Sequence, residues 1–410
     1  MVSVLVGLAT GEVSLRALDF SYYWAVARHP DPVMGWSPPP GVAAWQAIEG
    51  RALVQINSHG LRDREHAVEK PPGTLRIAVL GDSFAEAVQV PAQETFWATL
   101  ERELAACEAL GGRPVEVLNF GVSGYGTAQA LLTLRDRVLA YRPDLVILAF
   151  FPGNDVVENS RALDADPLRP YFVLQDGRLS LDAEFREGSE YRWRTSVPGQ
   201  AVAWIVQHSR LSQASVKAWD LVRLWRGGGI GEASAPDDEP GVDERVYREP
   251  DDPAWVRAWA VTEALIAQTA REARDAGADF LLVSLTTGAQ VHPDPAFRAA
   301  FMKAHGITDL LYPEERLRAL GDREGFATLG LARELASLAT FSGAWLHGFA
   351  NSLPGVGHWN RAGHRVAGEL LSNTLCRDWA PGRAQPFAAE DAPASGTAPA
   401  REGGAGNPET

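Results

Sequence analysis

Leu75-Arg76-Ile77-Ala78-Val79-Leu80-Gly81-Asp82-Ser83-Phe84 is the stretch on which the fold turns. A short apolar run breaks at Gly-Asp-Ser, the pattern of a parallel strand buried on both faces and then entering a turn. Downstream, Phe96, Leu100, Leu104 and Cys107 follow helical spacing, and Val115-Glu116-Val117-Leu118 makes a second strand closing on Asn119-Phe120-Gly121-Val122-Ser123-Gly124. A helix over residues 128–140 leads to a third strand, Leu145-Val146-Ile147-Leu148-Ala149-Phe150-Phe151, which ends at Gly153-Asn154-Asp155. Strands and helices alternating at this spacing predict βαβ units and a parallel sheet.

Further out, the rhythm breaks between residues 160 and 250. There Arg226-Gly227-Gly228-Gly229 and Ala235-Pro236-Asp237-Asp238-Glu239-Pro240 mark flexible connection beside an amphipathic helix over 210–225, which reads as an inserted cap. A helix over 253–275 and the strand Phe280-Leu281-Leu282-Val283-Ser284-Leu285 restore the pattern. A loop-and-helix excursion over 290–325 follows, then a fifth strand at Ala344-Trp345-Leu346. Gly357-His358-Trp359-Asn360 opens a last helix reaching Leu375. The expected fold is α/β, a doubly wound three-layer sandwich of about five parallel strands in the flavodoxin-like order 2-1-3-4-5. It occupies residues 74–379. Residues 1–73 are a lead-in whose Pro38-Pro39-Pro40 and Pro71-Pro72-Gly73 read as loop punctuation rather than a packed unit, and residues 380–410 hold too little apolar bulk to order.

Composition excludes several classes. The 410 residues carry 38 Lys and Arg against 52 Asp and Glu, a net charge of −14, which argues against nucleic acid as a partner. No stretch approaches the roughly 18–20 uninterrupted apolar residues of a spanning helix. Met1–Thr10 is apolar but short and lacks a basic flank, so it fails as a signal peptide. Two readings remain for it: a helix packing on the domain, or the stump of a membrane anchor. No cofactor or metal is implied. The chain has neither G-x-G-x-x-G after the first strand nor a P-loop, and His358 and His364 stand six apart without a third ligand. Gly121-Val122-Ser123-Gly124-Tyr125 fails as a nucleophile elbow, because Tyr125 occupies the final glycine. His364 then reads as a helix-packing histidine. Of the 13 tryptophans, those between Trp193 and Trp259 read as core or cap filler, a sugar- or lipid-facing role being the alternative.

Ligands of an open parallel sheet bind at the carboxyl ends of its strands, where three loops here each offer a reactive residue type. Ser83 sits where the first strand turns into a helix, Gly124 allows close backbone approach, and Asn154 supplies a neutral amide donor. His358, at the start of the last helix, supplies a base that titrates near neutrality. Taken in this order, Ser83, Gly124, Asn154 and His358 resemble the SGNH/GDSL hydrolases, which are named for those four residues. Ile56-Asn57-Ser58-His59-Gly60-Leu61-Arg62-Asp63 is similar to a lead-in of bacterial members that often carry an N-terminal membrane anchor, which favours the anchor reading of Met1–Thr10.

The resemblance implies a serine hydrolase cleaving a carboxylic ester, of esterase, lipase or glycan O-deacetylase type. Ser83 is the nucleophile, His358 the general base, and the N–H groups of Ser83 and Gly124 with the Asn154 amide form the oxyanion hole. The substrate would be an acylated small molecule, lipid or glycan of the cell envelope. Members often place an Asp two or three residues before the histidine, whereas here those positions are Val356 and Gly355. The triad acid is therefore unknown. Ser83 and His358 stand as a dyad unless a backbone carbonyl or a residue from another loop substitutes. The missing acid keeps open a catalytically weak binding or assembly module of an envelope polysaccharide pathway, beside an O-acyltransferase.

Cys107 and Cys376 are too few for a disulfide scaffold and lack CxxC spacing. In a 2-1-3-4-5 sheet the first and last helices lie side by side, which brings the two together at the bottom of the domain. They are then either bonded or two buried apolar thiols. A bond would favour an extracytoplasmic or membrane-associated location, with the cytoplasm left open.

Overall fold

The computed structural model describes residues 2–226, 239, 241–379, 381 and 387. The glycine run 227–229, most of the acidic loop after it, and nearly all of the 380–410 tail lie outside the described residues, and with them the expected flexible connection and disordered tail.

The chain opens with α1 (Val2–Ala17), then two small antiparallel hairpins, β1 (His29–Asp31) with β2 (Gly35–Ser37) and β3 (Ala43–Gln46) with β4 (Ala52–Gln55). The α/β core follows as β5 (Leu75–Gly81), α2 (Ser83–Glu86), α3 (Phe96–Ala105), β6 (Val115–Asn119), α4 (Thr127–Asp136), β7 (Leu145–Phe150) and α5 (Asp155–Glu158). The insertion contains the hairpin β8 (Tyr171–Gln175) and β9 (Arg178–Asp182), then α6 (Ser189–Thr195), α7 (Val197–His208) and α8 (Arg210–Arg226). The core resumes with α9 (Pro253–Asp275), β10 (Asp279–Ser284), α10 (Pro295–His305), α11 (Tyr312–Glu324), β11 (Ala327–Gly330), α12 (Ala332–Ser342) and α13 (Arg361–Asp378).

Five of these strands form one parallel sheet in the order β6-β5-β7-β10-β11, the expected doubly wound 2-1-3-4-5 arrangement. Strand periodicity explains why the apolar run of β7 is unbroken. Along β7, Val146, Leu148 and Phe150 face one helical layer, while Leu145, Ile147 and Ala149 face the other. Both faces are covered, so neither set of alternate positions can be polar.

Two expectations are corrected. The fifth strand is β11, not Ala344-Trp345-Leu346. That segment spends its backbone elsewhere: Leu346 O accepts from Asn360 N at 2.9 Å, and His347 forms an isolated bridge with Trp359. It braces the His358 loop. Nor is the lead-in mere punctuation. Tyr23 and Val26 pack with Val42, Ala44, Val54 and Ile56, which strand alternation collects on one face of the β3–β4 hairpin, and the group is buried against Val88 of the core.

The insertion docks on that lead-in. Tyr22 N donates to Gln213 Oε1 at 3.2 Å, Tyr22 Oη to Asp220 at 2.9 Å, and Arg28 pairs with Asp166. Of the tryptophans in question, Trp255 and Trp259 are core, while Trp193, Trp204 and Trp219 are exposed.

At the opposite end of the sheet from the reactive loops, Cys107 and Cys376 are joined by a disulfide, with Cα atoms 5.9 Å apart. The neighbouring packing of α3 and α13 makes this possible. Phe96 N of α3 donates to His364 Nδ1 of α13 at 3.3 Å, which also accounts for His364 as a buried packing histidine whose pKa burial pushes down to about 3.

Candidate active site

Ser83 begins α2 where β5 ends, directly after the buried Asp82, which caps the helix by accepting from Phe84 N at 2.8 Å. Burial raises the Asp82 carboxyl above the ordinary carboxylate range. From the far end of the sequence, His358 reaches the same point. Its Nε2 lies 2.8 Å from Ser83 Oγ.

The other ring nitrogen has a partner that sequence reading missed. His358 Nδ1 lies 2.5 Å from Glu49 Oε2, and the backbone N–H of His358 donates to Glu49 Oε1 at 2.8 Å. Glu49 sits in the loop between β3 and β4, within the lead-in. Asn351 clamps that loop in place: it accepts from Gly50 N at 2.9 Å and donates to Gly50 O at 2.9 Å. Close approach of the carboxylate also needs Gly357. Its φ is +82°, and a Cβ there would stand 2.4 Å from Glu49 Oε1. The bare dyad is thus corrected, since a carboxylate contacts the imidazole. The only local sign was a glutamate followed by glycine between two short strands, which carries no signal of its own.

A carboxylate can only accept, so the proton belongs on Nδ1, and Nε2 is free to accept from the serine hydroxyl. Burial disfavours the imidazolium, but the hydrogen bond and charge of Glu49 outweigh it and hold the His358 pKa above its ordinary value. Glu49 responds in the opposite direction. Burial raises its pKa, the contacts with His358 lower it further, and the net result lies below the usual carboxylate range.

The second loop is held from several sides. Gly124 has φ +77°, and its carbonyl accepts from Arg169 of the insertion at 2.9 Å. Ser123 N donates to Glu86 Oε2 at 2.8 Å, and Tyr23 Oη donates to the other oxygen of that buried carboxylate. The Asn57–Asp63 segment is scaffolding for the same loop. Asp63 accepts from Asn119 N at 2.9 Å, Arg62 O accepts from Asn119 Nδ2 at 3.2 Å, and Asn119 Oδ1 then accepts from Gly121 N at 3.0 Å. On the third loop, Asn154 Nδ2 makes only a long 3.4 Å bond to Asp82 Oδ2. Asn154 Oδ1 and Ser123 Oγ are buried without a hydrogen-bond partner among the described residues.

No family model and no curated protein matches the chain. Solved structures do. The chain is similar to TesA at 16% identity and a TM-score of 0.33, over 73% of this chain and 98% of that one. It is similar to a catalytic mutant of an acetylxylan esterase from Geobacillus stearothermophilus at 11% identity and a TM-score of 0.36, over 75% of this chain and 97% of the other. A lipase/acylhydrolase from Enterococcus faecalis matches at 13% identity and a TM-score of 0.35, over 76% and 100%. Likenesses this distant carry no argument about chemistry, which rests on the side chains.

Those side chains form a continuous relay from Glu49 through His358 to Ser83. A hydroxyl bonded to an imidazole that is itself oriented by a carboxylate is the arrangement by which serine becomes a usable nucleophile. Phe84 packs against the His358 ring at 5.0 Å between centroids and against Phe151 at 4.2 Å, which limits how far the imidazole can swing.

Proposed function

We propose that the chain is a serine hydrolase of the SGNH type that cleaves a carboxylic ester. The observation carrying this reading is the contact series Glu49–His358–Ser83, at 2.5 Å and 2.8 Å. Ser83 Oγ attacks the ester carbonyl as His358 Nε2 takes its proton. The oxyanion is met by the N–H groups of Ser83 and Gly124 and by the Asn154 amide, which exchanges its long bond to Asp82 for a shorter one to the charged oxygen. His358 returns the proton to the departing alcohol, and water then resolves the acyl-serine by the same steps in reverse.

Glu49 beside His358 supports turnover over a catalytically weak binding module, because the acid whose absence favoured that module has a counterpart there. The Cys107–Cys376 bridge supports an oxidising compartment, and so an acylated glycan or lipid of the cell envelope as substrate. A fluorophosphonate probe tests the reaction class. Covalent labelling that is lost in Ser83→Ala is the expected result, and no labelling of the parent chain would overturn the proposal. Product formed from p-nitrophenyl esters only when a sugar acceptor is present would instead mark acyl transfer.

A further inference from the structure

The first nine residues of α1, Val2-Ser3-Val4-Leu5-Val6-Gly7-Leu8-Ala9-Thr10, are apolar on every side, and no residue of this helix is buried. Val2, Val4, Leu5, Val6 and Leu8 are each more than half exposed. Helices apolar all round belong in an apolar surrounding, and a monomeric soluble protein rarely leaves more than a few hundred Å² of contiguous apolar surface in water. The other end of α1 is firmly fixed. Glu12 accepts from Ser209 Oγ and from the N–H groups of Arg210 and Leu211, all at 3.0 Å, and Arg16 donates to the His208 carbonyl at 2.5 Å. These contacts tie α1 to the corner between α7 and α8.

Those two helices expose apolar bulk as well. Trp204 and Ile205 of α7, and Trp219 and Leu221 of α8, are each more than two-fifths exposed. The same region reverses the charge of the molecule. Residues 189–223 hold Arg192, Arg194, Arg210, Lys217 and Arg223 against Glu190 and Asp220, in a chain whose net charge is −14.

We propose that α1 and the α7–α8 corner dock on the surface of an anionic lipid bilayer. The apolar turns of α1 enter the acyl layer, the exposed indoles sit at its boundary with the headgroups, and the arginines meet lipid phosphates. Two features favour lipid over a protein groove. A groove covers one stripe of a helix, whereas the first nine residues of α1 are apolar on all sides; and the excess of basic residues lies where the apolar surface is, on an otherwise acidic molecule. Tryptophan suits that boundary because its broad ring is apolar and its N–H is polar. No helix among the described residues is long and apolar enough to cross a membrane.

Co-sedimentation of the full chain tests this, using vesicles of phosphatidylcholine alone and vesicles of equimolar phosphatidylcholine and phosphatidylglycerol. Binding to the anionic vesicles, weakening as salt rises, is the expected result. Leu5→Glu with Leu8→Glu lowers the bound fraction by about tenfold or more, given the cost of a charge in the apolar layer. Arg192→Glu with Arg223→Glu removes the preference for phosphatidylglycerol. Melting curves matching the parent exclude misfolding, and Trp204→Glu supplies the same comparison should the double variant melt early. Absence of co-sedimentation, or equal binding by the Leu5/Leu8 variant, overturns the proposal. So does a concentration-dependent mass increase without vesicle binding that the same variant abolishes, since a second copy of the chain would then cover α1.

Discussion

Glu49 lies 309 positions before His358 in the chain, yet its carboxylate engages both the Nδ1 and the backbone N–H of that histidine. One oxygen fixes the ring and the other fixes the loop that carries it, so tautomer and position are set by a single side chain. The hairpin between β3 and β4 is therefore joined to the reactive end of the sheet.

Glu49→Gln separates charge from shape. Amide for carboxylate keeps the volume, but it can present N–H to Nδ1 and so favour the wrong tautomer, and kcat is expected to fall by up to about 10⁴-fold. The pH profile should move too. His358 must be neutral to accept a proton, and its raised pKa places the acid limb of kcat/KM above the ordinary value of 6.5. With the Glu49 charge gone, burial is opposed only by the smaller pull of Asp82 and Glu86, and the limb shifts to lower pH. A profile unmoved by Glu49→Gln would separate Glu49 from the reaction.

The same pair predicts how stability varies with pH. The raised His358 pKa stabilises the fold fully below 6.5, an advantage lost as pH climbs through the higher folded value. The depressed Glu49 pKa stabilises above 4.5, and that is lost as pH falls through the lower folded value. Between the two limits both contributions are present. The Tm difference between the parent and Glu49→Gln should be largest in that window and shrink on either side.

Gly357→Ala tests the close approach directly. The new Cβ would meet Glu49 Oε1, in a backbone conformation that costs an L-residue roughly 1–2 kcal/mol. A modest fall in Tm with a much larger fall in kcat is expected. Equal activity in the alanine variant would mean that the loop can move without loosening the carboxylate.

Asn154→Ala should cost about 100–1,000-fold in kcat. Among the described residues the one hydrogen bond of its side chain is the long contact to Asp82, so Tm should hardly change. Hydrolysis at the parental rate would remove Asn154 from the oxyanion hole.

The Cys107–Cys376 bridge closes a loop of 269 residues between α3 and α13. Reduction, or Cys107→Ala with Cys376→Ala, should lower unfolding free energy by about 2–5 kcal/mol. The bridge lies at the far end of the sheet, so kcat at low temperature should be retained. Chemical denaturation with and without reductant measures the first expectation, and ester turnover the second.

What the sequence determined by itself is whatever depends on neighbours within a few residues. β5, β7 and β10 are buried on both faces, so they appear as largely apolar runs, and the turns after β5, β6 and β7 carry Ser83, Gly124 and Asn154 at the carboxyl edge. β11 escaped notice for the same reason. Ala327–Gly330 is a four-residue edge strand whose residues are all only partly buried, and nothing in that segment distinguishes it from loop. Only the tertiary structure decided that the lead-in packs as a unit, that Cys107 and Cys376 are bonded rather than merely close, and that Glu49 meets His358. Each is a contact between segments remote in the chain, and a single polar side chain in a surface loop has no periodicity or spacing by which its eventual partner can be read.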